Sequence, residues 1–147
     1  MLMGLKEGQA KMSKSDPNSA IFMEDTREDV ISKIKKGYCP EKIVLDNPIL
    51  DYCKSILFPA LGELTIKRTE KNGGNVTYKT YAELEEAYVS GALHPGDLKP
   101  AVSGAINDLL QPVRDHFAND AYAKKLLETI KGWQKDIDAK KAAAAAQ

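Results

Sequence analysis

From Leu98 onward the apolar residues fall on one helical face: Leu98, Ala101, Val102, Ala105, Ile106, Leu109 and Val113 recur at helical spacing. A stripe of that width has to be buried, so the chain must build its core around one long helix. His94-Pro95-Gly96-Asp97 opens the run, with Pro95 near the first helical position, where a missing N–H is tolerated. Pro112 falls inside the pattern and predicts a kink or a bend of the last turns.

The other patterns are arranged around that helix. Asp25-Thr26-Arg27-Glu28-Asp29 reads as a helix start with a capping oxygen and acids in the first turn, followed by Val30, Ile31 and Ile34 and stopped by Gly37 and Pro40. A second helix is expected from Pro48 to about Phe58, and a third from about Tyr81 to Ser90 with Leu84, Ala87 and Tyr88 inward. A last helix, from about Ala121 to Lys140, carries Tyr122, Leu126, Leu127, Ile130 and Trp133, and this spacing assigns Trp133 to a core. Period two occurs in Leu64–Thr69 and Asn75–Thr80, on either side of Lys71-Asn72-Gly73-Gly74, which predicts a hairpin with a glycine turn. Residues 1–20 read as loop, and the Lys/Ala end is expected to fray because it has nothing to bury. The expected fold is mainly α with one β-hairpin.

Charge and cysteine usage exclude several classes. With 21 Lys+Arg against 21 Asp+Glu, the chain cannot hold nucleic acid by bulk electrostatics, so any RNA or nucleotide contact must come from local patches. Cys39 and Cys53 are too few for a disulfide framework, and with His94 and His116 as the other soft ligands no metal site is expected. No apolar run approaches the roughly 20 residues of a bilayer span, and residues 1–5 are too short for a signal-peptide core. A cytoplasmic chain with free thiols, without a membrane partner, is expected.

Lys11-Met12-Ser13-Lys14-Ser15 sits in the N-terminal loop, approached by glycines and left through Asp16-Pro17. Two ammonium groups three positions apart, interleaved with hydroxyls and exposed amides, suit a polyphosphate whose charge grows on a leaving group. A solvated Lys/Ser loop is the bland reading of the same residues. The whole string from Gly4 to Pro17 closely resembles the KMSKS signature loop of class I aminoacyl-tRNA synthetases, with flanks like those of the tyrosyl and tryptophanyl subgroup. The resemblance implies that Lys11 and Lys14 are catalytic phosphate contacts, that Ser13 and Ser15 hold loop and phosphates, and that Met12 lies near the adenine of ATP.

Three further segments, Lys71-Asn72-Gly73-Gly74-Asn75-Val76-Thr77-Tyr78, Leu93-His94-Pro95-Gly96-Asp97-Leu98-Lys99 and Leu110-Gln111-Pro112-Val113-Arg114, resemble tyrosyl-tRNA synthetases of the eukaryotic and archaeal type, in the family's order over residues 1 to about 117. Lys14 favours the tyrosyl enzymes over the tryptophanyl ones, which usually carry Ala there. A helix N-terminus offers free amides, an Asp there can accept from a guanine edge, and a His or Pro can offer a face to an unstacked base. In the family this segment reads the anticodon: Asp97 pairs with the first base, and His94, Pro95 and Lys99 line the site or touch phosphate. The structural alternative is that His94 caps the helix and Asp97 merely favours its first turn. Asn72 stands where related enzymes commonly place a stacking aromatic, so that contact must come from elsewhere or be replaced by hydrogen bonds. Lys33, Lys35 and Lys36 are expected on a solvated face, while Lys67, Arg68 and Lys71 are candidates for phosphate contacts near the hairpin.

The resemblance divides the chain into a loop and link from a Rossmann-type catalytic domain (residues 1–25), a helical anticodon-binding domain (26–140) and a low-complexity tail (141–147). It implies a C-terminal part of a tyrosine–tRNA ligase whose parent activates tyrosine with ATP, with Mg2+ as counter-ion, and charges tRNA(Tyr). It further implies a parent that dimerises through its catalytic domain and a 147-residue part that is inactive alone. The alternatives are a tryptophanyl enzyme, a non-catalytic RNA-binding module, or an interaction module docked through its tail.

Overall fold

The computed structural model describes residues 2–13 and 16–145 and separates into two compact units, Met1–Leu109 and Leu110–Gln147. It is mainly helical with one two-stranded antiparallel sheet.

The first unit begins with a loop that contains one 3-10 turn, Pro17–Ser19, capped by Asp16. Helix α1 (Arg27–Lys36) starts in a capping box: the Thr26 side chain accepts from the Asp29 N–H and Asp29 accepts from the Thr26 N–H. Asn47 caps the next start, accepting from the N–H groups of Ile49 and Leu50, and Pro48 fills the first helical position. Helix α2 (Pro48–Tyr52) then runs through a π-helical turn (Cys53–Leu57) into α3 (Phe58–Leu61). The wide turn has a cause in the sequence. Pro59 has no N–H for a carbonyl four residues back, and the π-turn places it in the first turn of α3 instead of mid-helix.

Strands β1 (Leu64–Ile66) and β2 (Val76–Tyr78) pair with Leu64 opposite Tyr78 and Ile66 opposite Val76. They are shorter than the two β-branched runs, because a 3-10 turn at Glu70–Asn72 and left-handed Gly73 and Gly74 take up the connection. Leu64, Ile66 and Tyr78 face the core, while Thr65 and Thr77 share a hydrogen bond of 2.8 Å on the outer face. Helix α4 (Tyr81–Ser90) matches its expected limits and ends at left-handed Gly91. Helix α5 (Pro95–Asn119) runs continuously past Pro100 and Pro112. Leu98, Val102 and Ile106 of α5 are buried, as are Val30 and Ile34 of α1, Ile49, Leu50 and Leu57, and Leu84 and Tyr88 of α4.

Lys33 does not lie on a solvated face as its neighbours Lys35 and Lys36 do. It is buried, its ammonium 2.6 Å from the Asp25 carboxylate and 4.6 Å from the centre of the Phe22 ring. The same Asp25 oxygen accepts from the Phe22 N–H, so the charge pair closes the turn that leads into α1.

In the second unit, Asp120 separates α5 from α6 (Ala121–Ala145) and accepts from the Ala123 N–H. The helix continues through the alanine run to Ala145, which high helix propensity supports without burial. Trp133 is 62% exposed, with Tyr122, Leu126, Ile130 and Ile137 also exposed, so the spacing that assigned Trp133 to a core describes an uncovered apolar face.

Candidate functional site

The signature loop is held by Ser19, which is fully buried. Its hydroxyl lies 3.0 Å from the Ser13 carbonyl and 2.8 Å from the Asp16 carbonyl, and accepts from the Ser13 N–H at 3.2 Å. One hydroxyl proton is shared between two carbonyls, and the contacts tie the backbone of Ser13 to that of Asp16, the residues that flank Lys14 and Ser15. Those two residues lie outside the described part. Lys6 pairs with Asp16, and that ammonium holds the Asp16 carboxyl below the ordinary carboxylate range. Lys11 is exposed, and Met12 is half-buried with its sulfur 4.0 Å from the Tyr52 hydroxyl. The loop is anchored to the rest of the unit through backbone groups: Met3 N–H donates to Asp51, Leu5 N–H to the Ser19 carbonyl, and Tyr38 N–H to the Leu5 carbonyl at 2.7 Å. The exposed Lys11 ammonium on a backbone-anchored loop is an arrangement suited to a phosphate.

A second group assembles at the start of α5. His94 caps this helix: its carbonyl accepts from the N–H groups of Asp97 and Leu98, and its Nδ1 accepts from the Gly96 N–H at 2.9 Å. The structural alternative for His94 is therefore present. Its Nε2 meets the Glu41 carboxylate at 2.7 Å. Pro95 is buried and fills the first position. Asp97 is half-buried, and among the described residues its carboxylate has no hydrogen-bond or ionic partner. Such a group is ready to accept from a base edge. Lys99 donates to the Lys35 carbonyl at 3.0 Å, which caps the last turn of α1 and leaves two of its three protons for other acceptors.

The hairpin connection is tied to this helix start by Arg68. Its Nε donates to the Gly74 carbonyl at 3.0 Å and its Nη1 to the Ala92 carbonyl at 2.9 Å, two residues before His94. Arg68 thus ties the hairpin connection to the helix start and leaves three of its five N–H donors for other acceptors. Asn72, on the same connection, is exposed and presents no aromatic surface. His94, Pro95, Asp97 and Lys99 share one helix start, while Lys11, Met12 and Ser13 are anchored separately beside α2. Sequence reasoning missed Ser19, Glu41 and Arg68 as positioning groups. The Asp16-Pro17-Asn18-Ser19 turn carried a signal for Ser19, but nothing local marks Glu41, 53 residues from its partner.

Between α1 and α5 lies a groove of about 600 Å³. The two helices are fastened at both its ends: Arg27 pairs with Asp108 at 3.2 Å and its carbonyl accepts from Asn107, while Lys99 holds Lys35. Ile31 and Gly104 line it, together with the cations Arg27, Lys35 and Lys99. Among the described residues no cluster of three or more His, Cys, Asp or Glu could hold a metal, and no helix is long and apolar enough to cross a membrane. Cys39 and Cys53 are free, and burial raises both thiols above the ordinary range.

The family description of class I tRNA synthetases (W and Y) matches residues 1–111. Tyrosine–tRNA ligase 1, cytoplasmic, of Arabidopsis thaliana is 56% identical over 134 residues, which make up 91% of this chain and 35% of that protein. A tyrosine–tRNA ligase of Saccharolobus islandicus is 42% identical over 124 residues, 84% of this chain and 34% of that one. Among solved structures, a Leishmania major tyrosyl-tRNA synthetase in complex with fisetin aligns at a TM-score of 0.81 and 44% identity, over 92% of this chain and 24% of that one. The Archaeoglobus fulgidus enzyme complexed with L-tyrosine aligns at 0.72 and 44%, over 78% of this chain and 35% of that one. The chain spans about a third of the length of the curated relatives it matches.

Proposed function

Because the chain belongs to the class I tRNA synthetases of the tryptophan and tyrosine group, we propose that it is the part of a tyrosine–tRNA ligase that carries the ATP loop and reads the anticodon. The relatives named above are tyrosine enzymes throughout, which favours tyrosine over tryptophan. In this reading the whole enzyme activates tyrosine with ATP, releases pyrophosphate and esterifies tRNA(Tyr), in the cytoplasm and as a homodimer.

Residues 1–25 provide the loop of the catalytic step. Lys11 and Lys14 follow charge onto the departing pyrophosphate, an interaction stronger in the transition state than in the ground state. Ser13 and Ser15 bind the same phosphates and Met12 borders the adenine. Mg2+ arrives with ATP as its counter-ion. Residues 26–140 bind the anticodon arm. Asp97 accepts from the first anticodon base, a guanine, while Pro95 and the His94 ring supply apolar surface and Lys99 a phosphate contact. Asn72 borders the same base from the hairpin.

The observation that carries this reading is the partnerless Asp97 carboxylate at the first turn of α5. As the acid of the first turn it favours the helix start, and its oxygens remain open to a donor from a ligand. The test is fluorescence anisotropy of the 147-residue chain with a tyrosine anticodon stem-loop at fixed salt. Binding that weakens when the first anticodon base is changed supports anticodon reading. Equal binding of every variant reduces the chain to a general RNA binder, and no binding removes the RNA role. ATP–pyrophosphate exchange by these residues alone would contradict the dependence on the rest of the enzyme.

A further inference from the structure

The two nitrogens of His94 are both engaged, and the partners determine where its proton sits. The Gly96 N–H donates to Nδ1 at 2.9 Å, so Nδ1 presents a lone pair and carries no hydrogen. The proton is therefore on Nε2, which donates to Glu41 Oε1 at 2.7 Å. With both edges occupied, this imidazole can meet a ligand only through its face. Its side chain is 58% exposed, so a face is open to solvent. Gly96 belongs to the same arrangement. A Cβ there would stand 3.0 Å from His94 Nδ1, so the ring would have to shift and strain its cap on the Gly96 N–H.

Glu41 is itself held from the core. The Tyr88 ring is fully buried in α4, and its hydroxyl donates to the carbonyl of Pro40, the residue before Glu41, at 2.8 Å. The Asn47 amide donates to the Ile43 carbonyl at 2.9 Å, and Lys42 between them takes a left-handed conformation at φ 61°. The loop between α1 and α2 is thus fastened on both sides of Glu41, which reaches across to the start of α5.

We infer that Glu41 is a positioning residue for base recognition: it fixes His94 as the Nε2–H tautomer with its face outward, as the stacking surface for the base that Asp97 accepts from. This rests on the proposed function. It also supplies the aromatic face that Asn72 lacks. Because the pair is exposed, it adds little to stability, and its effect is to hold a ring in place.

The test uses the whole 147-residue chain, a tyrosine anticodon stem-loop with its first-base variants, and nitrogen-15 NMR of the imidazole. Glu41→Gln keeps an oxygen that accepts from Nε2–H and is expected to keep both the tautomer and the affinity. Glu41→Ala is expected to leave thermal unfolding unchanged, blur the tautomer signature and weaken binding about fivefold, the low end of a base–aromatic stack, with first-base preference intact. Unchanged affinity in Glu41→Ala overturns the inference alone, as does a Glu41→Gln variant that behaves like Glu41→Ala. Failure of the unsubstituted chain to bind, or to prefer a first base, overturns the anticodon reading as well.

Discussion

The hydroxyl of Ser19 and the backbone of Ser13 close the signature loop on itself, with 3.0 Å to the Ser13 carbonyl and 3.2 Å from its N–H. Ser19 is fully buried, so Ser19→Ala leaves carbonyl and amide groups without their partner in a place water reaches poorly. The expected cost is about 1–3 kcal/mol. Urea unfolding measures it, and hydrogen exchange should localise the added opening to residues 13–19. An unchanged midpoint with unchanged exchange would show that the hydroxyl does not hold the loop.

Asp25 and Lys33 form a pair with side chains only 10% and 9% exposed. Asp25→Ala removes one member and strands a buried ammonium, at an expected cost of about 3–5 kcal/mol. Adding Lys33→Met to that variant should recover much of the loss, since no charge then remains to be buried. A double variant as unstable as the single one would place the effect in the Phe22 turn instead.

The Lys6–Asp16 contact sets a pH dependence with a definite sign. A carboxyl whose folded pKa is depressed adds stability above its unfolded value and loses it as pH falls through the folded one. The Asp16 contribution should therefore persist down to about pH 4 and disappear below it. An NMR titration of the Asp16 carboxyl should show the depression, and Lys6→Ala should return it toward the ordinary range. An ordinary titration in the unsubstituted chain would mean the contact is absent in solution.

Gly104 sits inside α5 with no neighbour within 4 Å of where a Cβ would be, and it faces the groove between α1 and α5. Gly104→Ala should therefore raise stability by up to about 1 kcal/mol through helix propensity. Thermal unfolding reads it. A destabilised variant would show that the groove is narrower than 600 Å³.

The helices were legible wherever the apolar spacing continued to a capping residue. Thr26 with Asp29, Asn47 with Pro48, and Tyr81 through Ser90 show this. What was not legible depended on pairs distant in sequence. Lys33 looked like one lysine of a solvated trio until Asp25 and Phe22 enclosed it, and the tie that Arg68 makes to the Ala92 carbonyl, 24 residues away, had no local signal. Trp133 obeyed helical spacing and is nevertheless exposed, because periodicity says which face is apolar and not what covers it. In the candidate site, residue types at the α5 start were readable from His94-Pro95-Gly96-Asp97. The tautomer of His94 was not, since it depends on Glu41.

The central claim is that Asp97 reads the first anticodon base, and a double-substitution cycle tests it most directly. Affinity of the chain and of Asp97→Asn would be measured for stem-loops with guanine or adenine at that position, at one salt concentration. We expect the unsubstituted chain to prefer guanine by about 1–3 kcal/mol and Asp97→Asn to lose that preference, giving a coupling of similar size. Unfolding should shift by less than about 1 kcal/mol, the scale of a first-turn acid, because the carboxylate has no partner among the described residues. Equal guanine preference with and without the carboxylate would contradict the account.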